Sequence, residues 1–265
     1  MKLLKLIVIS ILLSSVVLLY SCESNDSNIV HGTGNLKAKS KMLIEVFTNT
    51  SCVGCPAADA YVDQIHHYQG VTINDTNVII IKVHTTMFPN DPFYLFNVPV
   101  NNTRQTYYGA GIVNPLGFSD GTMMAVPFSS SAWTNQINQH LNLTRTFAIN
   151  LSNTYNSANN TGTINLQLGQ LSGVTVSDLR YFIAVVEDDL HYNAPNGVNL
   201  HNSVLRDMLT APAGDDLQLS AGQSVNISKD YSLKNGINYL NTSLVVFIQS
   251  VSTKTVYAVE KIKLQ

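Results

Sequence analysis

The pattern of apolar and polar positions changes character near the middle of the chain. In the first half, short apolar runs alternate with segments of helical period. Met42 to Phe47 is an apolar run broken by Glu45, and it reads as a strand. A polar turn follows. Ala57, Ala58, Tyr61, Val62 and Ile65 then recur at helical spacing, so 57–68 reads as a helix. Pro56 suits its first turn, where a missing N–H costs little, and Gly70 suits its C-terminal cap. Val78 to Val83 is β-branched and has no helical period. It reads as a buried strand, parallel to the first because a helix separates the two. Residues 85–102 carry three prolines and read as a long irregular loop, followed by a short helix over 103–109. Asp120-Gly121 is a hairpin signal leading into 122–126. Trp133, Ile137 and Leu141 mark a closing helix over 130–143.

In the second half, Asn, Thr, Ser and Gly punctuate short alternating runs. Phe147 to Leu151, Gly162 to Leu168, Tyr181 to Glu187, Ser224 to Ile227, Leu244 to Val251 and Thr255 to Leu264 read as strands. Residues 159–162 and 252–255 have the composition of hairpin connections. The expectation is an α/β unit over 41–145 and an all-β, immunoglobulin-like sandwich over 146–265.

The N-terminus differs from both halves. Lys2 and Lys5 precede an apolar run from Leu6 to Leu19, and Leu19-Tyr20-Ser21-Cys22 follows. This reads as a signal peptide over 1–21 with a lipoprotein cleavage box, so that acyl chains on Cys22 anchor the chain to a membrane. Residues 22–40 are polar and read as a flexible tether. Export also resolves an odd count of three cysteines. Lipidating Cys22 leaves Cys52 and Cys55 as one pair, in a compartment that permits a disulfide. The chain has 265 residues, 12% charged residues and a net charge of −2, with no basic excess to suit nucleic acid.

Candidate chemistry concentrates at Cys52-Val53-Gly54-Cys55, between a strand and a helix. A helix N-terminus stabilises a thiolate on the first sulfur, and the second lies close enough to resolve a mixed disulfide. Two other readings fit the same spacing. One is a static disulfide. The other is half of a metal site completed by His66, His67 or His84, although the two histidines at 66–67 also suit a helix C-terminus. Glu45 shares a face with Leu43 and Phe47. It reads either as a buried proton acceptor for Cys55 or as a solvent-facing edge residue. The aromatics at 88, 93, 94 and 96 fit a partner groove or a self-packed loop. The pairs Asp188-Asp189 and Asp215-Asp216 read as solvated turns rather than calcium ligands.

Several of these segments together resemble a known family. They are Leu43-Ile-Glu-Val-Phe-Thr48, Cys52-x-x-Cys55-Pro56, His84, Arg104-x-x-Tyr107-Tyr108-Gly109, Pro115, Asp120-Gly121 and His201-Asn-Ser-Val-Leu-Arg206. The chain resembles the outer-membrane-protein-28-related lipoproteins of Gram-negative bacteria, with a thioredoxin-like fold over its first half. The resemblance implies that Cys52 attacks, Cys55 resolves and Pro115 is a cis-proline facing the pair. The backbone of Asn114 would then pair with a substrate peptide. It also implies an outer-membrane location, with protein thiols or disulfides of the envelope as partners and no cofactor. Ser51 stands where thioredoxins have tryptophan, Val53-Gly54 replaces Gly-Pro, and Leu116 follows the proline where threonine is common. Those departures leave both thiol exchange and a binding lipoprotein with a structural disulfide open.

Overall fold

The computed structural model describes residues 28–67, 73–110 and 113–264. The signal peptide, Cys22 and Gly70 lie outside them, as do the side chains of His66 and His67. In the first half the elements are β1 (Asn28–His31), β2 (Met42–Thr48), α1 (Cys55–His67), β3 (Val78–His84), α2 (Pro92–Phe96), α3 (Val98–Tyr108), β4 (Leu116–Ser119), β5 (Thr122–Met123) and α4 (Ser130–Leu141). The second half adds β6 (Phe147–Asn156), β7 (Thr161–Gln170), β8 (Leu179–Glu187), β9 (Leu190–His191), β10 (Leu200–His201) and β11 (Val204–Met208). After these come β12 (Asp215–Asp216), β13 (Gln223–Ser232), β14 (Thr242–Ser250) and β15 (Val256–Lys263). The fold is mixed α/β, rich in sheet.

β2 and β3 pair in parallel across α1, and β4 and β5 continue the sheet antiparallel, giving the order β3-β2-β4-β5. Asp120 and Gly121 take positive φ of 42° and 82°, the turn chemistry that joins β4 to β5. Ile44 and Val46 pack with Ala58, Val62, Trp133 and Ile137, so α1 and α4 cover one face. Leu43 and Phe47 point the other way, towards Val100 of α3 and Phe182 and Phe247 of the second half. The short turn Asp120-Gly121 fixes this register, because a one-residue slip would exchange the two faces.

The expected boundary at 145/146 is crossed by a continuous sheet. β11 pairs in parallel with β3 and antiparallel with β8, and β14 and β15 extend the order to β15-β14-β8-β11-β3-β2-β4-β5. β8 and β14 are buried on both faces. Ile183, Val185, Val246 and Ile248 face a second sheet of β1, β13, β7 and β6, whereas Phe182, Ala184, Val245 and Phe247 face the first half. This double burial explains their near-continuous apolar sequences. The long sheet also curls back on itself: Val256 N–H donates to the Asp120 carbonyl at 3.1 Å. A Cβ at Gly121 would lie 1.8 Å from the Lys254 carbonyl oxygen, so the hairpin tip needs glycine there. The second half therefore forms facing sheets, but one of them belongs equally to the first half.

Two further expectations need correction. The tether over 22–40 is not polar coil throughout. Asn28–His31 pairs antiparallel with Asn226–Gln223, filling what would otherwise be an open edge of β13. Leu36 is buried, and Lys39 and Lys41 both reach Glu260, at 2.8 and 2.6 Å. The expected loop over 85–102 holds α2 and the first five residues of α3. Asp91 caps α2, accepting from Phe93 N and Tyr94 N, and Pro92 and Pro99 sit at helix starts, where proline is tolerated. Phe93 and Tyr94 are buried, so these aromatics are core rather than groove.

Candidate functional site

Cys52 and Cys55 form a disulfide, with Cα atoms 5.4 Å apart. Cys55 opens α1, and Cys52 lies on the polar turn three residues earlier. Cys55 is fully buried and Cys52 is 4% exposed, whereas Val53 between them is 90% exposed. The turn is held by main-chain bonds from Cys52 N to Asn49 O (3.1 Å) and from Cys55 N to Cys52 O (3.3 Å). The Asn114–Pro115 bond is cis, and a Cβ on Gly54 would stand 3.7 Å from Pro115 Cδ and 3.9 Å from Asn114 O. Pro115 and the disulfide turn are therefore in contact distance of each other. Among the described residues no group of three or more His, Cys, Asp or Glu side chains is arranged to hold a metal ion.

Glu45 is buried but serves a different purpose from proton transfer to Cys55. It lies on the sheet face opposite α1. Arg104 donates to it twice, from Nε to Oε1 at 2.6 Å and from Nη2 to Oε2 at 2.7 Å, and Tyr108 OH donates to Oε2 at 2.7 Å. Arg104 also donates to Gln249 Oε1 of β14 (2.8 Å), and its guanidinium lies within about 5 Å of the rings of Tyr107, Tyr108, Phe182 and Phe247. Burial by itself would lower the Arg104 pKa; the charge and hydrogen bonds of Glu45, together with Tyr108 and Tyr107, outweigh it and raise the value. Burial, aided by Glu45, pushes the Tyr108 hydroxyl well above its ordinary range. This network ties β2 and α3 to β14 and is a joint between the two halves.

Of the polar residues near the disulfide turn, His84 and His201 belong to segments that carry the family resemblance, whereas Asp91, Asp59 and Asn196 come from segments with no obvious motif. Asp91 Oδ2 accepts from Thr50 N (2.8 Å) and from His84 Nδ1 (2.7 Å). Burial would raise the Asp91 carboxyl, but the His84 hydrogen bond and charge, with the N–H groups of Thr50 and Tyr94, hold it below the usual range. His84 Nε2 has no hydrogen-bond partner among the described residues. His201 packs at a tilt against Phe93 (4.7 Å between centroids) and edge-on to His84 (6.2 Å), and its Nε2–H donates to the Tyr192 carbonyl at 3.3 Å. Burial pushes its pKa down to about 4, with His84 contributing in the same direction. On the α1 side, Asp59 accepts from Thr48 Oγ1 at 3.0 Å and lies 3.8 Å from Lys82 Nζ. A buried lysine on a β-branched strand is a signal that the chain itself offers. The hairpin of β9 and β10 also reaches the turn: Asn196 N donates to Thr50 O (3.0 Å), and its Nδ2 donates to Asn49 O and Cys52 O (both 3.3 Å).

Comparison with known proteins adds the following. HBP35 of Porphyromonas gingivalis is similar in fold, with a TM-score of 0.72 at 19% identity, over 86% of this chain and 76% of that one. A domain of the outer membrane lipoprotein Omp28 from the same organism matches 46% of this chain and 91% of its own, at 18% identity and a TM-score of 0.33. No curated protein matches. Among the described residues no helix is long and apolar enough to cross a membrane. The family model for outer membrane protein Omp28 matches residues 102–265, a stretch that begins after the cysteine pair. That match covers more than half of the chain, so the protein belongs to the Omp28 family and is a component of the outer-membrane envelope.

Proposed function

We propose that this envelope protein exchanges its Cys52–Cys55 disulfide with protein thiols, on a thioredoxin-like unit formed by β2, α1, β3, β4, β5 and α4. Acyl chains on Cys22 would hold it to the membrane. One observation carries the reading: Cys55 of the disulfide opens α1, and the turn between the two cysteines lies against Pro115, beside a sheet of order β3-β2-β4-β5. In the exchange, a partner thiolate attacks Cys52 Sγ, the Cys52–Cys55 bond breaks, and Cys55 leaves as a thiolate that takes up a proton. A second partner thiolate attacks the partner's sulfur in the mixed disulfide. Cys52 then leaves and is protonated, and the partner carries the new disulfide. Two electrons and two protons pass to this protein, and the sequence runs backwards against an oxidised partner. The α1 N-terminus favours the Cys52 thiolate at each release.

The test is dithiothreitol-driven insulin reduction, with Cys52→Ser as control. Catalysis by the wild type that is lost in the variant supports exchange; equal, background rates in both overturn it. A second reading, a structural disulfide in a binding lipoprotein, draws on the low exposure of both cysteines. A reduction potential below about −300 mV would favour this staple, and a value near −120 to −270 mV would favour exchange.

A further inference from the structure

The loop joining β9 to β10 comes from the second half of the chain, yet among the described residues its hydrogen bonds to the first half all fall on the disulfide turn. Asn196 places three donors' worth of contact on it: its N–H on Thr50 O, and its carboxamide on Asn49 O and Cys52 O. The carboxamide's own Oδ1 accepts from Val198 N at 3.2 Å, which fixes the side chain in this direction. Elsewhere the hairpin is held by main-chain bonds from Tyr192 N to Asn199 O (3.1 Å) and from Ala194 N to Val198 O (3.0 Å), by buried Ala194, and by Tyr192 packed edge-on against Phe93. Its ladder is two residues long on each strand, and Asn193, Pro195 and Gly197 are exposed. It leaves β8 through Asp189 (φ 59°) and rejoins the sheet at β11 through Ser203 (φ 57°), so both ends turn sharply. Below it, Cys52 has 4% exposure while Val53 projects freely.

We propose that Asn196 is a specificity-determining residue, whose hairpin occupies the main-chain carbonyls of Asn49, Thr50 and Cys52 that an incoming polypeptide must take over to reach Cys52. The chemistry of that partner follows from what Asn196 supplies. The three acceptors face one main-chain N–H and one amide NH2, and an extended peptide segment with a free N–H beside its cysteine can replace them. A small thiol supplies no such donors and gains nothing on displacing the hairpin. The site thereby discriminates between unfolded or extended protein thiols and the small-thiol pool. The identity of the partner rests on the exchange reading above; the cover itself does not.

The experiment measures the rate at which dithiothreitol reduces Cys52–Cys55 in the full chain, followed by trapping of free thiols with a polyethylene-glycol maleimide. Asn196→Ala is expected to speed reduction about 10-fold, the effect of losing roughly one net hydrogen bond from the closed state. Asn196→Asp, which like alanine keeps the main-chain donor but sets an acceptor-only carboxylate against the Asn49 and Cys52 carbonyls, should be reduced at least as fast as Asn196→Ala. Asn196 is only partly buried, and unchanged thermal unfolding of both variants would show that they fold. Wild-type reduction rates in both variants would overturn the proposal. The same two variants in insulin reduction separate the readings. Faster dithiothreitol reduction without insulin turnover keeps the cover and removes the exchange; turnover with no effect of either variant does the reverse.

Discussion

Glu45 and Asp91 are both buried carboxylates, and each is held by a basic side chain, Arg104 in one case and His84 in the other. Their surroundings differ in what they permit. Glu45 has two Arg104 bonds and a tyrosine hydroxyl, inside a cage of four aromatic rings contributed by both halves of the chain. Nothing there can move without separating β2 from β14. Asp91 instead touches the turn before Cys52, the end of β3 and the start of α2. Its neighbour His201 belongs to the β9–β10 hairpin, whose ladder is two residues long on each strand. One cluster fuses the two halves, and the other sets the shape of a turn that another protein would have to engage. A carboxylate's burial thus says little about its role until its partners are known.

The largest effect that tests this contrast is at the joint. Arg104→Leu leaves the Glu45 charge buried without its partner and should cost about 3–5 kcal/mol in denaturant unfolding. The double variant Glu45→Leu/Arg104→Leu removes both charges and should recover much of that loss, because a buried pair exchanged for apolar groups is often near neutral. A loss below about 1 kcal/mol in the single variant would end the idea of a joint. A smaller cost is expected at the turn. Replacing both Cys52 and Cys55 by alanine opens a very short loop, and the chain-entropy estimate for its closure is about 2 kcal/mol. If this pair costs as much as Arg104→Leu, the disulfide is a principal support of the fold and the staple reading gains.

These two clusters also mark where sequence reasoning reached and where it stopped. The elements that carry a period or a turn signal were legible: β2, α1, β3, the Asp120-Gly121 hairpin, α4 and the six longer strands of the second half. Glu45 was legible as buried, since it alternates with Leu43 and Phe47. Its partner was not: Arg104 lies on the expected short helix over 103–109, but 59 positions away, and nothing local pairs the two residues. The cap that starts α2 depends on one aspartate before a proline, a local signal that the surrounding prolines and aromatics masked. The shared sheet was invisible for a different reason. A parallel pairing between Val204 and Lys82 is a non-local contact, and neither strand's composition specifies its neighbour. Asn196, in a polar segment of the second half, had nothing to connect it with Cys52.

The smallest effect at neutral pH concerns His201, and it separates the hairpin from the joint by their response to acid. Its ring is buried against Phe93 and His84, and its Nε2–H is used by the Tyr192 carbonyl, so the neutral form fits the fold. The folded value of about 4 lies below the ordinary histidine value near 6.5. Between these limits the unfolded chain binds the additional proton. The contribution is therefore complete above pH 6.5 and is lost as pH falls towards 4. Asp91 acts in a lower window. Its folded pKa is depressed below the ordinary carboxylate range, so its contribution is present above about pH 4 and disappears as pH falls through the depressed value. His201→Gln retains an N–H donor for Tyr192 and cannot titrate. Thermal unfolding of this variant should lose less between pH 6.5 and 4 than the wild type, while below pH 4 the two curves should run parallel. Because no histidine hydrogen-bonds to the Glu45 network among the described residues, Arg104→Leu should lower both curves without changing the difference between them. Equal slopes for wild type and His201→Gln between pH 6.5 and 4 would show that the ring is hydrated in solution and that the hairpin is already open above the turn.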